Sequence, residues 1–363
     1  MPDIKYTQLC MELEERLLDG AYSGKLPGVH KLAAEFNTSP VTMGKALKLL
    51  ERRGYIAILD RRGAFVTLRN RNRPCRRLIC LVNSLGHPGP EDFMYRTTLD
   101  TVEKAGYRLL VLGAGSLDIL RNEDFLTAIN VDGYVFSNSV LDLEIARNLQ
   151  LNGIPFVSVN QINEPSTVNL VEFDHVNSRP VLYRHLYGLG HRRIAEIIPA
   201  NRLGFWTEHF RDIYRDFMTA HRIFDPSYYV GYDRLLPERG APDEAAALER
   251  FNLDCIDRLL NLPAPPTAIV VNDLRTGEKL RQVLAERKLR VPHDISVALV
   301  TSWDSEVPCD PFYTRLIGDC LERQRAACEL LIRQLEQPAP SVKLRWLDMK
   351  FQPGAATGPA SMQ

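Results

Sequence analysis

Around Ser39 the chain gathers short hydroxyl and basic side chains of the kind that meet a polyanion. Ser39 is a good helix N-cap, and Pro40 behind it sits at the first helical position, where a missing N–H costs nothing. On the helix that follows, the outward positions include Val41, Thr42, Gly44, Lys45 and Lys48, all short or basic. Lysine donates to guanine or to phosphate, and a threonine hydroxyl or methyl meets base or backbone. Arg61-Arg62-Gly63 is a second basic group; glycine lets the backbone approach closely and arginine is favoured in a narrow minor groove. Catalytic patterns are missing: there is no Walker sequence, G-x-S-x-G or H-E-x-x-H, and Gly113-Ala-Gly115 is only a loop at a strand end. The seven cysteines form no C-x-x-C pair and no His cluster accompanies them, so neither a metal nor a cofactor is expected.

The elements that must position these groups follow from periodicity. Tyr6, Leu9, Leu13 and Leu17 predict a first helix, ended by Asp19-Gly20. Leu32, Ala33 and Phe36 share a face of a second, short one, and Asn37-Thr38 makes a tight break. Met43, Leu47 and Leu50 are the buried side of the helix after Ser39, closed by Gly54. Tyr55–Leu59 and Ala64–Leu68 form a hairpin with a basic, glycine-bearing tip. Residues 69–77 read as a basic linker, whose arginines suit either a solvated tether or phosphate contact. Beyond it, strand-like runs (Leu78–Val82, Tyr107–Leu112, Gly133–Phe136, Pro155–Val159, Ile194–Ile198, Ala268–Val271, Val297–Val300) alternate with helical stretches such as 92–105, predicting parallel sheets in two lobes over 78–352. Residues 353–363 read as a flexible tail.

Charge divides along the same boundary. Residues 1–77 hold 15 Lys and Arg against 8 Asp and Glu, and the remainder 30 against 37, so a net charge of zero conceals a basic head on an acidic body. Only the head is expected to meet nucleic acid. No apolar run approaches a membrane span, and Met1-Pro2-Asp3-Ile4-Lys5 lacks the apolar core of a secretory signal, which predicts a cytoplasmic protein.

Tyr6-Thr-Gln-Leu9, Gly24-Lys-Leu-Pro27, Lys31-Leu-Ala-Ala-Glu-Phe36, Ser39-Pro-Val-Thr-Met-Gly-Lys-Ala-Leu47, Leu50-Glu-Arg-Arg-Gly54 and Arg62-Gly-Ala-Phe-Val66 together resemble the GntR family of bacterial regulators. The resemblance implies a winged helix-turn-helix over residues 1–68, with His30, Ser39, Thr42, Lys45, Lys48, Arg61, Arg62 and Gly63 at DNA. His30, Pro40 and Gly44 stand where the family usually carries basic residues, so the sequence preference is expected to diverge.

Residues 78–350 resemble the effector domain of the LacI/GalR regulators, itself similar to periplasmic sugar-binding proteins. The carrying residues are His185-Leu-Tyr-Gly-Leu-Gly-His-Arg-Arg-Ile-Ala195, Asp132-Gly-Tyr-Val-Phe136, Gly153-Ile-Pro-Phe-Val157, Asn272-Asp273 and Val291-Pro-His-Asp-Ile-Ser-Val297. The implied fold class is an α+β winged helix-turn-helix followed by a two-lobed α/β periplasmic-binding-protein-like domain, an architecture resembling the arabinose-repressor type. The implied ligand is a sugar or related metabolite at the carboxyl ends of the strands. By position in the pattern Arg211 would be a bidentate donor; Asn272 and Asp273 would face the cleft, Asp304 accept from hydroxyls and Trp303 stack. His191 reads as structural. Ser178-Arg179-Pro180 replaces the family's small-residue pair and Tyr214 its glycine, which predicts an atypical pocket.

The combined expectation is a transcription regulator, by resemblance a repressor, acting as a homodimer on double-stranded operator DNA under a small-molecule effector. The alternative is an enzyme with an accessory DNA-binding domain, for which the sequence offers no catalytic constellation.

Overall fold

The structure, a computed structural model, describes residues 4–18, 21–22, 25–52, 55–59, 63–66, 75–83, 93–113, 117–122, 125, 128–137, 141, 143–159, 168–198, 204–231, 244–301, 311–337 and 344–361. Helices α1 (Ile4–Leu18), α2 (Val29–Glu35) and α3 (Pro40–Arg52) precede a hairpin of β1 (Ile56–Leu59) and β2 (Gly63–Val66). Leu9, Leu13, Leu17, Leu32, Met43, Leu47 and Leu50 interlock as one apolar core, as their spacing requires. The hairpin pairs Ile56 with Val66 and Leu59 with Gly63. It starts one residue later than the sequence predicts, because the Tyr55 N–H closes α3 by donating to Leu50 O (3.0 Å). Lys25 adds a one-residue bridge to Phe65, and Leu26 N–H donates to Ala64 O (2.8 Å).

Two six-stranded sheets follow, the expected lobes. In the first, β3 (Leu78–Asn83), β4 (Arg108–Leu112), β5 (Gly133–Ser137), β6 (Phe156–Ser158) and β7 (Asn169–Phe173) are parallel. Their order is β7-β6-β5-β3-β4, with β13 (Leu344–Leu347) beyond β7 at the edge. In the second, β8 (Ile194–Ile197), β9 (Tyr229–Val230), β10 (Ala268–Val271), β11 (Ser296–Thr301) and β12 (Thr314–Ile317) run parallel, and β14 (Lys350–Gln352) pairs antiparallel with β12. Continuous burial along β5, β8, β10 and β11, apolar but for a few side chains such as Glu196, reflects helices on both faces. The chain divides into two compact units, Met1–Glu172 with Leu321–Arg345 and Phe173–Cys320 with Trp346–Gln363. No described helix is long and apolar enough to cross a membrane.

The expectation of a flexible tail is overturned for its described part, residues 353–361. Ala356 is wholly buried; its N–H donates to Phe312 O (2.7 Å) and its carbonyl accepts from Val297 N–H (2.8 Å). Gly358 N–H donates to Ser296 Oγ (3.1 Å) and Ala360 N–H to Leu189 O (2.9 Å). At Gly354 an added Cβ would lie 2.4 Å from the Tyr313 carbonyl, so the small residues serve close backbone approach rather than mobility.

Candidate DNA-binding face and effector unit

The start of α3 is built by Ser39. Its hydroxyl accepts from Thr42 N–H (3.1 Å) and shares a hydrogen bond with the Thr42 hydroxyl (2.8 Å). Such a cap contributes about 1 kcal/mol. Asn37, at φ 47°, makes the tight break before it. Met43, Ala46, Leu47 and Leu50 turn inward, which leaves Val41, Lys45 and Lys48 as an exposed stripe; Val41 is 72% exposed. An exposed β-branched residue beside the cap suits a thymine methyl, and the two lysines suit phosphate or guanine. An added Cβ at Gly44 would meet nothing within 4 Å, so this glycine is not there for packing. It costs the helix roughly 1 kcal/mol relative to alanine and leaves backbone open on the outward side. His30 is exposed in the first turn of α2.

Behind this face, α1 and α2 are fastened by polar contacts. Glu35 accepts from Arg16 (2.7 Å) and from the Tyr22 hydroxyl (2.6 Å), and the Arg16 guanidinium lies 4.4 Å from the centre of the Phe36 ring. Burial, and then Glu35, push the Tyr22 pKa up, so the phenol stays a donor. In the hairpin Gly63 adopts φ +99°, a conformation that favours glycine. Arg61 and Arg62 lie outside the described residues.

In the second unit, the helix His175–Gly188 begins at Asp174, whose carboxylate accepts from Asn177 N–H (3.0 Å). One turn on, Arg179 is 1% exposed. It donates to Glu196 on β8 and to Asn272 at the end of β10, and its guanidinium stacks 3.9 Å from the centre of the Phe210 ring. Tyr183 donates to the other oxygen of Glu196. Burial pushes the Arg179 pKa down, but Glu196 and then Tyr183 carry it above its ordinary value, so the ion pair persists inside the fold. Burial, then Glu196, raise Tyr183 well above a free phenol.

Of the two adjacent effector residues expected from the sequence, Asn272 belongs to this network and Asp273 is held apart from it. Asn272 accepts from Arg179 and donates to Glu196 (3.0 Å) and to Ile197 O (2.9 Å), so its amide hydrogens are committed within the unit. Asp273 caps the helix Leu274–Glu286, accepting from Thr276 N–H and from its hydroxyl, both at 2.7 Å. Arg211 is exposed on the helix Gly204–Ala220, its guanidinium 5.7 Å from the centre of the Tyr229 ring. Trp303 and Asp304 lie outside the described residues. Arg179 and Glu196 were missed as a pair; the signal available was Arg179 at a position the family keeps small. Tyr214, in the family's glycine position, is buried and donates to Ile194 O (2.8 Å).

His191 is structural, as read. Its Nε2 donates to Gly358 O (3.1 Å), leaving Nδ1 to accept from the Thr267 hydroxyl (2.9 Å). In the first unit, buried polar groups also mark the carboxyl ends of strands. Ser137, ending β5, donates to Gln324 (2.9 Å), which donates to Thr98 (2.8 Å), and Glu172 on β7 accepts from Arg323 (2.6 Å). Among the described residues no group of His, Cys, Asp and Glu is arranged to hold a metal ion.

Residues 5–66 match the family model of bacterial regulatory proteins, gntR family, and residues 183–356 match that of the periplasmic binding protein-like domain. The chain is a transcription regulator with a GntR-type DNA-binding domain. The regulator is 24% identical over 354 residues to the arabinose metabolism transcriptional repressor of Geobacillus stearothermophilus, with 92% of each chain covered. It is 25% identical over 215 residues to the HTH-type transcriptional repressor CytR of Escherichia coli strain K12, 59% of each. Among solved structures, the transcriptional regulator CelR in complex with cellobiose aligns with a TM-score of 0.61 at 19% identity, over 91% of this chain and 100% of the other. A LacI-family regulator from Enterococcus faecium with bound ribose aligns at 0.57 and 18% identity, over 78% and 99%. These structures share the regulator's fold. The relatives are regulators, so an enzyme carrying an accessory DNA-binding domain is not favoured.

Proposed function

We propose that the regulator is a cytoplasmic, homodimeric repressor that binds double-stranded operator DNA through α3 and the hairpin and responds to a sugar or a related polyol. The observation that carries the DNA half is the capped start of α3 with its outward stripe of Val41, Lys45 and Lys48. His30, Thr42 and Ser39 flank that stripe, Gly63 opens the second strand of the hairpin, and Arg61 and Arg62 supply charge at its tip. Two-fold symmetry then calls for a pseudo-palindromic operator. The effector half draws on the ribose and cellobiose seen in the similar structures and on the arabinose of the named relative. Arg211 and Asp304 are the side chains assigned to ligand hydroxyls, and Trp303 is assigned to a ring face. Asn272 and Asp273 act chiefly through the shape of the strand end that they hold.

Selection of duplexes from a random pool by the full chain tests the first half. Lys45→Ala is expected to weaken binding to the selected duplex and to flatten the slope of log affinity against log salt by about 1, while sparing sugar binding. An unchanged affinity and slope would remove α3 from the interface. Thermal shift of the full chain with arabinose, ribose and cellobiose tests the second half, since a ligand bound to the native state raises the midpoint. Arg211→Ala is expected to abolish that shift; a normal response would refute the assignment.

A further inference from the structure

The stretch read as a basic linker does not run free up to β3. The Arg76 N–H points at both carboxylate oxygens of Asp132 (2.9 and 3.1 Å), and the Leu78 N–H donates to one of them (2.8 Å). Cys75 Sγ is 3.9 Å from the same carboxylate. Between the two donors Arg77 adopts φ 53°, in the left-handed region, which is unfavourable for a residue with a Cβ. Its carbonyl accepts from Arg108 N–H (2.6 Å) and its guanidinium lies 5.5 Å from the centre of the Tyr107 ring. Asp132 in turn is fixed through its own N–H, which donates to Leu78 O (2.8 Å). A carboxylate accepting from backbone N–H groups makes bonds roughly twice as strong as neutral ones.

The next residue ties this anchor to the rest of the unit. At Gly133 an added Cβ would lie 2.8 Å from Leu331 Cδ1 and 2.9 Å from Pro155 O, so the backbone there is wedged between β6 and the helix Cys320–Glu336. That helix takes its first residue from one unit and the remainder from the other. On the opposite side, residues 67–74 connect Val66 of the hairpin to Cys75, a span of at most roughly 30 Å when fully extended. Where so short a tether is anchored decides which positions the DNA-binding domain can reach.

We propose that Asp132 is a positioning residue for DNA binding: its carboxylate clamps Arg76 and Leu78 and so fixes the exit point of the tether. The clamp itself is independent of the proposed function; its consequence for DNA rests on that reading.

The full chain is compared with D132N, which keeps the shape but presents an amide donor to the clamped N–H groups, and with D132A. Under limited native digestion with trypsin, the bonds after Arg76 and Arg77 are expected to be cut at least tenfold faster in both variants, the remainder from Leu78 surviving intact. Equal rates overturn the clamp. So does cleavage spread through the whole chain, which marks general unfolding; D132N, of unchanged volume, decides if D132A does not fold. On the duplex selected by the native chain, moving the half-sites apart by one, two or five base pairs is expected to cost the native chain affinity steeply and D132N much less. Identical spacing profiles overturn the positioning role. If the native chain selects no duplex, the DNA reading itself has failed, and digestion alone then judges the clamp.

Discussion

The DNA-binding domain and the second unit treat charge in opposite ways. Around α3 the core is apolar except for Glu14, which accepts from the Tyr55 hydroxyl, and Lys45, Lys48 and His30 stand in solvent where a ligand can reach them. In the second unit Arg179, Glu196 and His191 are buried, Asn272 is half-buried beside Glu196, and their hydrogen bonds are spent within the unit. The outward charges are exchangeable, because each loses only solvent when it is replaced. The inward ones are interdependent, because removing one leaves another without its counter-charge in a medium where that is expensive. Specificity for DNA can therefore drift at low structural cost, while the effector unit is constrained.

The strongest way to break this contrast is Arg179→Ala. It strands Glu196 and frees the Asn272 carbonyl, and a loss on the order of 3–5 kcal/mol is expected in denaturant unfolding of the full chain. Replacing the pair together, R179M with E196Q, should recover much of that loss, since an apolar and neutral pair of similar volume often costs little. If Arg179→Ala costs no more than an exposed substitution such as Lys48→Ala, the buried network does not constrain the unit.

Gly44→Ala probes the other side at smaller scale. The site has open space, so the variant is expected to gain roughly 0.5–1 kcal/mol of stability. The added methyl projects from the outward side of α3, so binding to the selected duplex should fall as stability rises. A gain in both would separate Gly44 from the DNA face.

The smallest effect concerns acid. Burial lowers the His191 pKa, with Gly358 O opposing and His185 and Arg192 reinforcing; burial also lowers that of His185, whose Nε2 meets the Thr357 hydroxyl (3.0 Å). Both rings hold the segment at 354–358, and both are neutral when they do so. The unfolded chain then binds more protons than the folded one, so stability is full above the ordinary histidine value near 6.5 and declines as the pH falls through it. Thermal midpoints across that range should drop on acidification, and less so in His191→Gln. A midpoint indifferent to pH would show the pair to be solvated.

Regular elements with one apolar side were legible from the residues alone. Ser39 and Pro40 mark the start of α3 to the residue, Met43, Leu47 and Leu50 are its buried side, and Ala268–Val271 is the strand as read. β13 escaped because Leu344, Arg345 and Trp346 are all exposed and give no buried alternation. The helix face around Arg179 was visible only as a departure from a family pattern, since nothing local says that a charged side chain turns inward to meet Glu196 seventeen positions later. Residues 354–360 failed for the opposite reason: glycine and alanine signal freedom locally, and only the partners on distant strands make them rigid. Of the effector residues, a run of sequence identified candidates by order along the chain, but order does not reveal that Asn272 and Asp273 already have partners.

The passage of the chain between its units, at residues 172, 320 and 345, bears on how such a protein can be assembled by recombination. Neither sheet is encoded by an uninterrupted stretch, so exchanging one lobe for another requires several simultaneous crossovers with matched ends. The head up to Val66 is contiguous and meets the body through one short tether, so a single crossover suffices to give the body a new reader. An effector module inherited whole and a DNA reader open to replacement are what that wiring favours.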